Sequence, residues 1–161
     1  MEPRGRYFED FVIGEEIESA SRTITEADIL AFAELSGDTN PLHVDPEYAR
    51  TTIFGERIAH GLLGLSVASG LAWQTGLMEG TAEAFIGLDW KFRAPIRIGD
   101  TIRVRMVATQ KKAMPHLGGG FVTISAVLLN QRDEVVQKGT WTVLVRARQG
   151  YGGETGGQDA S

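Results

Sequence analysis

The sequence predicts an α+β domain in which one curved antiparallel sheet wraps a long apolar helix. Three observations carry this prediction. Segments in the second half of the chain alternate apolar and polar residues with period two, the mark of half-buried strands. Between Gly61 and Met78 runs a stretch without a single charged residue. The order is one early strand, then helices, then four strands, which makes a sheet with one apolar face and one long helix to cover it.

Each element has a local reason. "SASRTI" (19–24) reads as the first strand. Thr25 then suits a helix N-cap, with Asp28 at the third helical position as a capping-box partner and Ile24 and Ile29 placed as a hydrophobic staple. Ala27, Leu30, Ala31 and Leu35 supply the expected apolar stripe, and Gly37 suits a left-handed helix end. Asp45-Pro46 reads as the N-cap and first residue of a short helix, "PEYART".

The charge-free stretch has almost the length of a membrane span. Its glycines, serines, threonine and Gln74 instead favour a buried helix of a water-soluble domain. From Gly61 to about Gln74 such a helix is roughly 20 Å long, enough to cross four or five strands. Gly64, Ala68 and Ala72 form a small-residue stripe along which the helix can press closely on a sheet. Beyond it, Ala84, Ile86, Leu88, Trp90 and Phe92 share one strand face. Ile102, Val104, Met106 and Ala108 repeat the pattern, as do Val122, Ile124, Ala126 and Leu128, and a last strand runs from about Val135 to Val145. A helix enclosed by one such sheet is the hot-dog architecture. The expected domain is residues 1–146, and the Gly-rich "ARQGYGGETGGQDAS" (147–161) is expected to be a disordered tail.

Composition narrows the function. A net charge of −5 and a pI near 5.2 give no field for nucleic acid or an anionic membrane surface. The absence of cysteine removes disulfides, thiolate metal sites and a cysteine nucleophile. The first residues lack a signal-like apolar core, so the cytoplasm is the expected compartment.

The chemistry is expected in "ELSGDTNPLHVD" (34–45). Pro41 fixes its own φ and pushes Asn40 to an extended conformation, while Gly37 permits a positive φ just before Asp38. Asp38 and His43 are thereby held in a defined relation. A carboxylate beside an imidazole orients it and sets its tautomer, and the pair can share one water and move protons. The same residues also suit a plain turn, with Asp38 or Asn40 capping backbone donors. Downstream, His60-Gly61 opens the long helix, whose first N–H groups lack intrahelical partners and suit an oxygen that gains negative charge. Gly61 lets a ligand approach the backbone, although packing under the sheet would equally ask for glycine there.

"LSGDTNPLHVDPEYA" and "AHGLLGLSVASGL" together resemble the MaoC-like dehydratase family, the R-specific enoyl-CoA hydratases (hydratase 2). The resemblance covers roughly residues 7–146 and implies the same hot-dog fold. It implies Asp38 and His43 as the catalytic dyad and the Gly61 N–H as oxyanion donor. Ser69 stands where that family has a supporting helix serine, with Asn40 and His60 as further supporting residues. A serine in that place can also simply bond back to a helix carbonyl. The implied reaction is reversible syn hydration of a trans-2-enoyl-CoA to an (R)-3-hydroxyacyl-CoA. No metal or redox cofactor is implied, since coenzyme A is part of the substrate, and the implied assembly is a homodimer with active sites near the interface. Three rivals stand beside it. A hot-dog acyl-CoA thioesterase would share the fold, and a non-catalytic acyl-CoA-binding subunit would tolerate loss of the dyad. The third is an iron site of His43, Asp45 and His116, which mimics a two-histidine, one-carboxylate set. Arg93, Arg97, Arg103, Arg105 and Lys111-Lys112 are candidates to meet the phosphates of coenzyme A, against the plainer reading of a solvated strand face.

Overall fold

The computed structural model describes residues 4–149, so most of the expected tail, 150–161, lies outside the described residues. The elements run β1 (Glu16–Glu18), β2 (Arg22–Thr23), α1 (Glu26–Ser36), α2 (Pro41–Val44), α3 (Pro46–Arg50), α4 (Gly61–Gln74), β3 (Ala82–Phe92), β4 (Thr101–Met114), β5 (Gly119–Leu129) and β6 (Val135–Arg146). All pairings are antiparallel, in the order β1-β4-β5-β6-β3, with β2 also on β4. This is the hot-dog arrangement: a curved sheet with α4 against its inner face. Among the described residues no helix is long and apolar enough to cross a membrane.

Alternation in β4, β5 and β6 buries Ile102, Val104 and Met106, then Val122, Ile124, Ala126 and Leu128, then Trp141, Val143 and Val145. The helix answers with Leu63, Gly64, Ala68, Leu71 and Ala72. Gly64 is required by the close approach, because a Cβ there would sit 2.7 Å from Ile96 Cδ1 and against the Gln137 amide.

The capping box of α1 forms as its sequence demands: Thr25 Oγ1 accepts from Asp28 N–H, and the Asp28 carboxylate accepts from Thr25 N–H at 3.0 Å. Ile24 and Ile29 are both buried, and Gly37 closes the helix at φ 79°. The face of α1 differs from the expected stripe. Ile29 and Ala33 turn inward with Phe32 beside them, while Leu30 and Leu35 face solvent, Leu35 at 86% exposure. The Ile24–Ile29 staple fixes the helix rotation, and that rotation carries the Leu30 side outward.

Two strand expectations also change. Of the expected strand 19–24 only Arg22–Thr23 (β2) forms, and β1 lies just before that span; between the two, the Ser19 hydroxyl accepts from Val104 N–H. In β3, register shifts between Ala82 and Ala84 and between Phe85 and Gly87 break the alternation. Phe85, Ile86, Leu88 and Phe92 are about half exposed along this edge strand, and Trp90 alone of its large apolar residues packs in, stacked on Trp141. At the other end the chain stays attached past the expected boundary: Ala147 is buried and donates to Gly118 O, and Arg148 pairs with Asp10.

Candidate active site

The segment 36–45 is a succession of local caps. Ser36 Oγ accepts from Asp38 N–H, Asp38 Oδ1 from Asn40 N–H, and Asn40 Oδ1 from Leu42 N–H. Asn40 is thus the N-cap of α2, with Pro41 at its first position. Asp45 then caps α3 by accepting from Glu47 and Tyr48 N–H. The turn chemistry and the defined placement of Asp38 and His43 prove to be one device. The turns use one Asp38 oxygen, and its Oδ2 has no hydrogen bond among the described residues.

His43 is buried, and its Nδ1 lies 2.7 Å from Ile58 O. A carbonyl can only accept, so Nδ1 carries the proton and the neutral ring presents its lone pair at Nε2. The tautomer is therefore fixed by the Ile58 carbonyl, whereas the sequence reading gave that task to Asp38. His60, 3% exposed, donates from Nε2 to the Asp38 carbonyl at 2.8 Å and stacks on His43 with ring centroids 3.9 Å apart. Phe32 closes the other side of His60, its centroid 4.9 Å away. Asp38, His43 and His60 bring ligand-type atoms within 4.8 Å of one another. The two imidazole rings are near parallel, 28° between planes.

His60 is also the N-cap residue of α4, without a side-chain cap bond of its own. The first backbone donors of the helix, Gly61 and Leu62 N–H, meet no acceptor among the described residues. They open on a cavity of about 600 Å³, walled by Ile58, Ala59, Leu62, Phe92, Arg93 and Ile96. A Cβ on Gly61 would lie 2.7 Å from two atoms of the Phe92 ring, so the glycine serves packing and access together.

Ser69 does not join this cluster. It is exposed, more than two helical turns further on, and its hydroxyl donates to Ser66 O at 2.7 Å. The set imagined for iron does not assemble either, since Asp45 is spent on capping and His116 lies exposed in the turn after β4.

A MaoC like domain model matches residues 10–128, a span that holds the cluster, all of α4 and nearly all of β5. The chain is 39% identical over 146 residues to an (R)-specific enoyl-CoA hydratase of Rhodospirillum rubrum, covering 88% of this chain and 93% of that protein. It is 38% identical over 105 residues to a 3-hydroxybutyryl-CoA dehydratase of Methylorubrum extorquens, 65% of each chain. The chain belongs to the MaoC-like dehydratase family. A crystal structure of a MaoC-like dehydratase from Rhodospirillum rubrum superimposes with a TM-score of 0.82 at 31% identity, over 89% of this chain and 99% of that one.

In this MaoC-like domain one further residue bears on the site. Gln137, 2% exposed, donates to Gly61 O at 3.0 Å and accepts from Trp90 Nε1–H at 2.9 Å, tying the start of α4 to β3 and β6. Its signal was in the sequence: a polar residue at an inward position of an otherwise apolar strand face.

Proposed function

We propose that the protein hydrates trans-2-enoyl-CoA reversibly to (R)-3-hydroxyacyl-CoA, with Asp38 and His43 as its acid–base pair. The observation that carries the reading is the meeting of Asp38, His43 and His60 beside the unpaired N–H groups that open α4 onto an apolar-walled cavity. In this reading the thioester oxygen accepts from Gly61 N–H, which draws electron density from C3. One water lies between the free Asp38 oxygen and His43 Nε2. Its oxygen bonds to C3 and its proton passes to the pair. The enolate, held by the helix N-terminus, takes a proton from the pair at C2 on the same face. Water and alkene are consumed and one C–O and one C–H bond form, so no redox group is called for, and coenzyme A arrives on the substrate. The named relatives, a hydratase and a dehydratase, support both directions of this one reaction.

The same reading takes the assembly to be a homodimer. Strand β3 is an unpaired sheet edge, and it exposes Phe85, Ile86, Leu88 and Phe92 together.

The test is turnover of crotonyl-CoA followed at the conjugated-thioester absorbance, with the product read by an enantiomer-specific dehydrogenase. Asp38→Asn and His43→Gln should fold and lose about 10²–10⁴-fold in kcat. The double variant should be hardly worse than either single one, because the pair acts as a unit. Release of free thiol without hydration, exclusive (S) product, or near-wild-type turnover by Asp38→Asn would overturn the assignment.

A further inference from the structure

The sheet and its adjoining loops carry several cations, and most of the arginines among them have carboxylate partners. Arg103 pairs with Glu18 and Asp133, Arg105 with Glu16, Arg97 with Glu56, and Arg146 with Glu83. Lys111 donates to Phe11 O and covers the Phe8 ring. Lys91 and Lys138 break the pattern. They stand directly opposite each other on β3 and β6, and no ion pair among the described residues includes either. Like charges at a directly opposed pair destabilise a sheet. Beside arginines that are supplied with carboxylates, such a pair left bare marks a place for an anion from outside.

The lysines line a groove of about 340 Å³ whose floor includes Ala126 and Gly139. Asp89, Ser125 and Thr140 share it, so the groove has one carboxylate against Lys91, Lys138 and Arg93. Arg93 is the link. It lines this groove and also the cavity at Gly61, and its guanidinium has no carboxylate partner among the described residues. A ligand can thus hold a reacting group at the start of α4 and a charged end over the lysines, passing Arg93 between them. Lys112, equally free of ion pairs, pairs with Phe121 on β5 near the far hairpin and lies outside the groove.

We propose that Arg93, Lys91 and Lys138 bind the phosphates of the substrate's coenzyme A nucleotide. The proposal rests on the enoyl-CoA reading above and adds to it where the carrier end lies. A thioester at Gly61 sends its pantetheine arm out of the cavity past Arg93, and the pyrophosphate and ribose phosphate reach the groove. Guanidinium and ammonium donors give phosphate oxygens charge-assisted hydrogen bonds, and Ser125 and Thr140 add hydroxyls. An acidic carrier protein is a poorer occupant. It would need a broad basic face, whereas the chain is −5 overall and the neighbouring arginines are already neutralised by Glu16, Glu18 and Asp133.

The experiment compares two substrates in the full-length protein: crotonyl-CoA, and crotonyl-N-acetylcysteamine, which has the same acyl thioester without the nucleotide. Arg93→Gln and the Lys91→Gln/Lys138→Gln pair should each lower the ratio of kcat/KM for crotonyl-CoA over the truncated thioester by about tenfold or more. The loss should lie in KM, and wild type should approach the variants as salt is raised. Adenosine 3′,5′-bisphosphate should inhibit wild type competitively and the variants weakly. An unchanged ratio, or a selective loss with crotonyl-acyl carrier protein instead, would overturn the nucleotide site. The two readings fail separately. If neither thioester is hydrated the functional reading falls, and calorimetric titration of coenzyme A into wild type and variants still decides the groove, equal affinities counting against it.

Discussion

His60→Phe separates placement of the site from stability of the fold. Phenylalanine keeps a ring of similar size against Phe32 and His43, so the tilted contact at 4.9 Å and the stack at 3.9 Å have a successor. It removes the Nε2–H that holds the Asp38 carbonyl at 2.8 Å. It also removes Nδ1, which is buried without a partner. The lost hydrogen bond costs about 0.5–1.5 kcal/mol, and relief of an unsatisfied buried nitrogen returns about 1–3 kcal/mol. The two nearly cancel, and for a chain of this size 1 kcal/mol moves Tm by about 2–4 °C. Thermal unfolding should therefore shift by only a few degrees in either direction. Catalysis should respond differently, because the Asp38 segment loses its tether to the residue that opens α4. A misplacement of about 1 Å costs roughly 10²-fold in turnover. We expect kcat on crotonyl-CoA to fall by about that factor with KM little changed, since the cavity walls stay in place. His60→Gln, whose amide reaches close to the position of Nε2, should recover part of the loss. Turnover within about threefold of wild type for His60→Phe would refute the tether. So would a loss that merely tracks unfolded protein.

Gly64→Ala forces a methyl against Ile96 and the Gln137 amide, and overpacking of this kind costs about 1–3 kcal/mol, read as a lower urea midpoint. The Asp28 carboxyl is held below its ordinary range, first by the Thr25 N–H hydrogen bond and then by Arg22. A lowered folded-state pKa stabilises above the unfolded value and is lost as pH falls through the folded one. Asp28→Asn should therefore be less stable than wild type at pH 5–7, and the gap in denaturant midpoint should close below about pH 4. Light scattering at micromolar concentration should give twice the 17.5 kDa chain mass, and Ile86→Lys/Leu88→Lys should give a monomer; a wild-type monomer would refute the β3 interface.

What the sequence made legible is what a few neighbouring residues decide among themselves. Thr25 with Asp28, Gly37, and Asp45-Pro46 each fix a helix end within about one turn, and each stands where it was expected. The alternation of β4, β5 and β6 was readable because both faces have one fate along their inner halves, helix within and solvent without. β3 has the same alternation and a different fate. Its Phe85, Ile86 and Leu88 stay half exposed along an edge, and periodicity tells which residues share a face but not what covers that face. The α1 stripe failed for a related reason: several apolar residues offered two faces, and the staple from Ile24, outside the helix, chose between them.

The candidate site divides in the same way. Asp38 and His43 were legible because glycine and proline brace the segment between them. The acceptor that sets the His43 tautomer was not, because Ile58 gives only its carbonyl, and every residue has one. The tether from His60 to Asp38 is again to a backbone oxygen, across 22 positions. The cations show the limit most plainly. In the sequence Arg93, Arg103 and Arg105 look alike, all on a strand or just past one. Only pairing across the sheet sorts them, by bringing Glu16 and Glu18 on β1 up against β4 and forming no ion pair with Arg93 or Lys138 among the described residues. A surface charge becomes informative through the partner it lacks, and that partner is set by tertiary register rather than by neighbours in the chain.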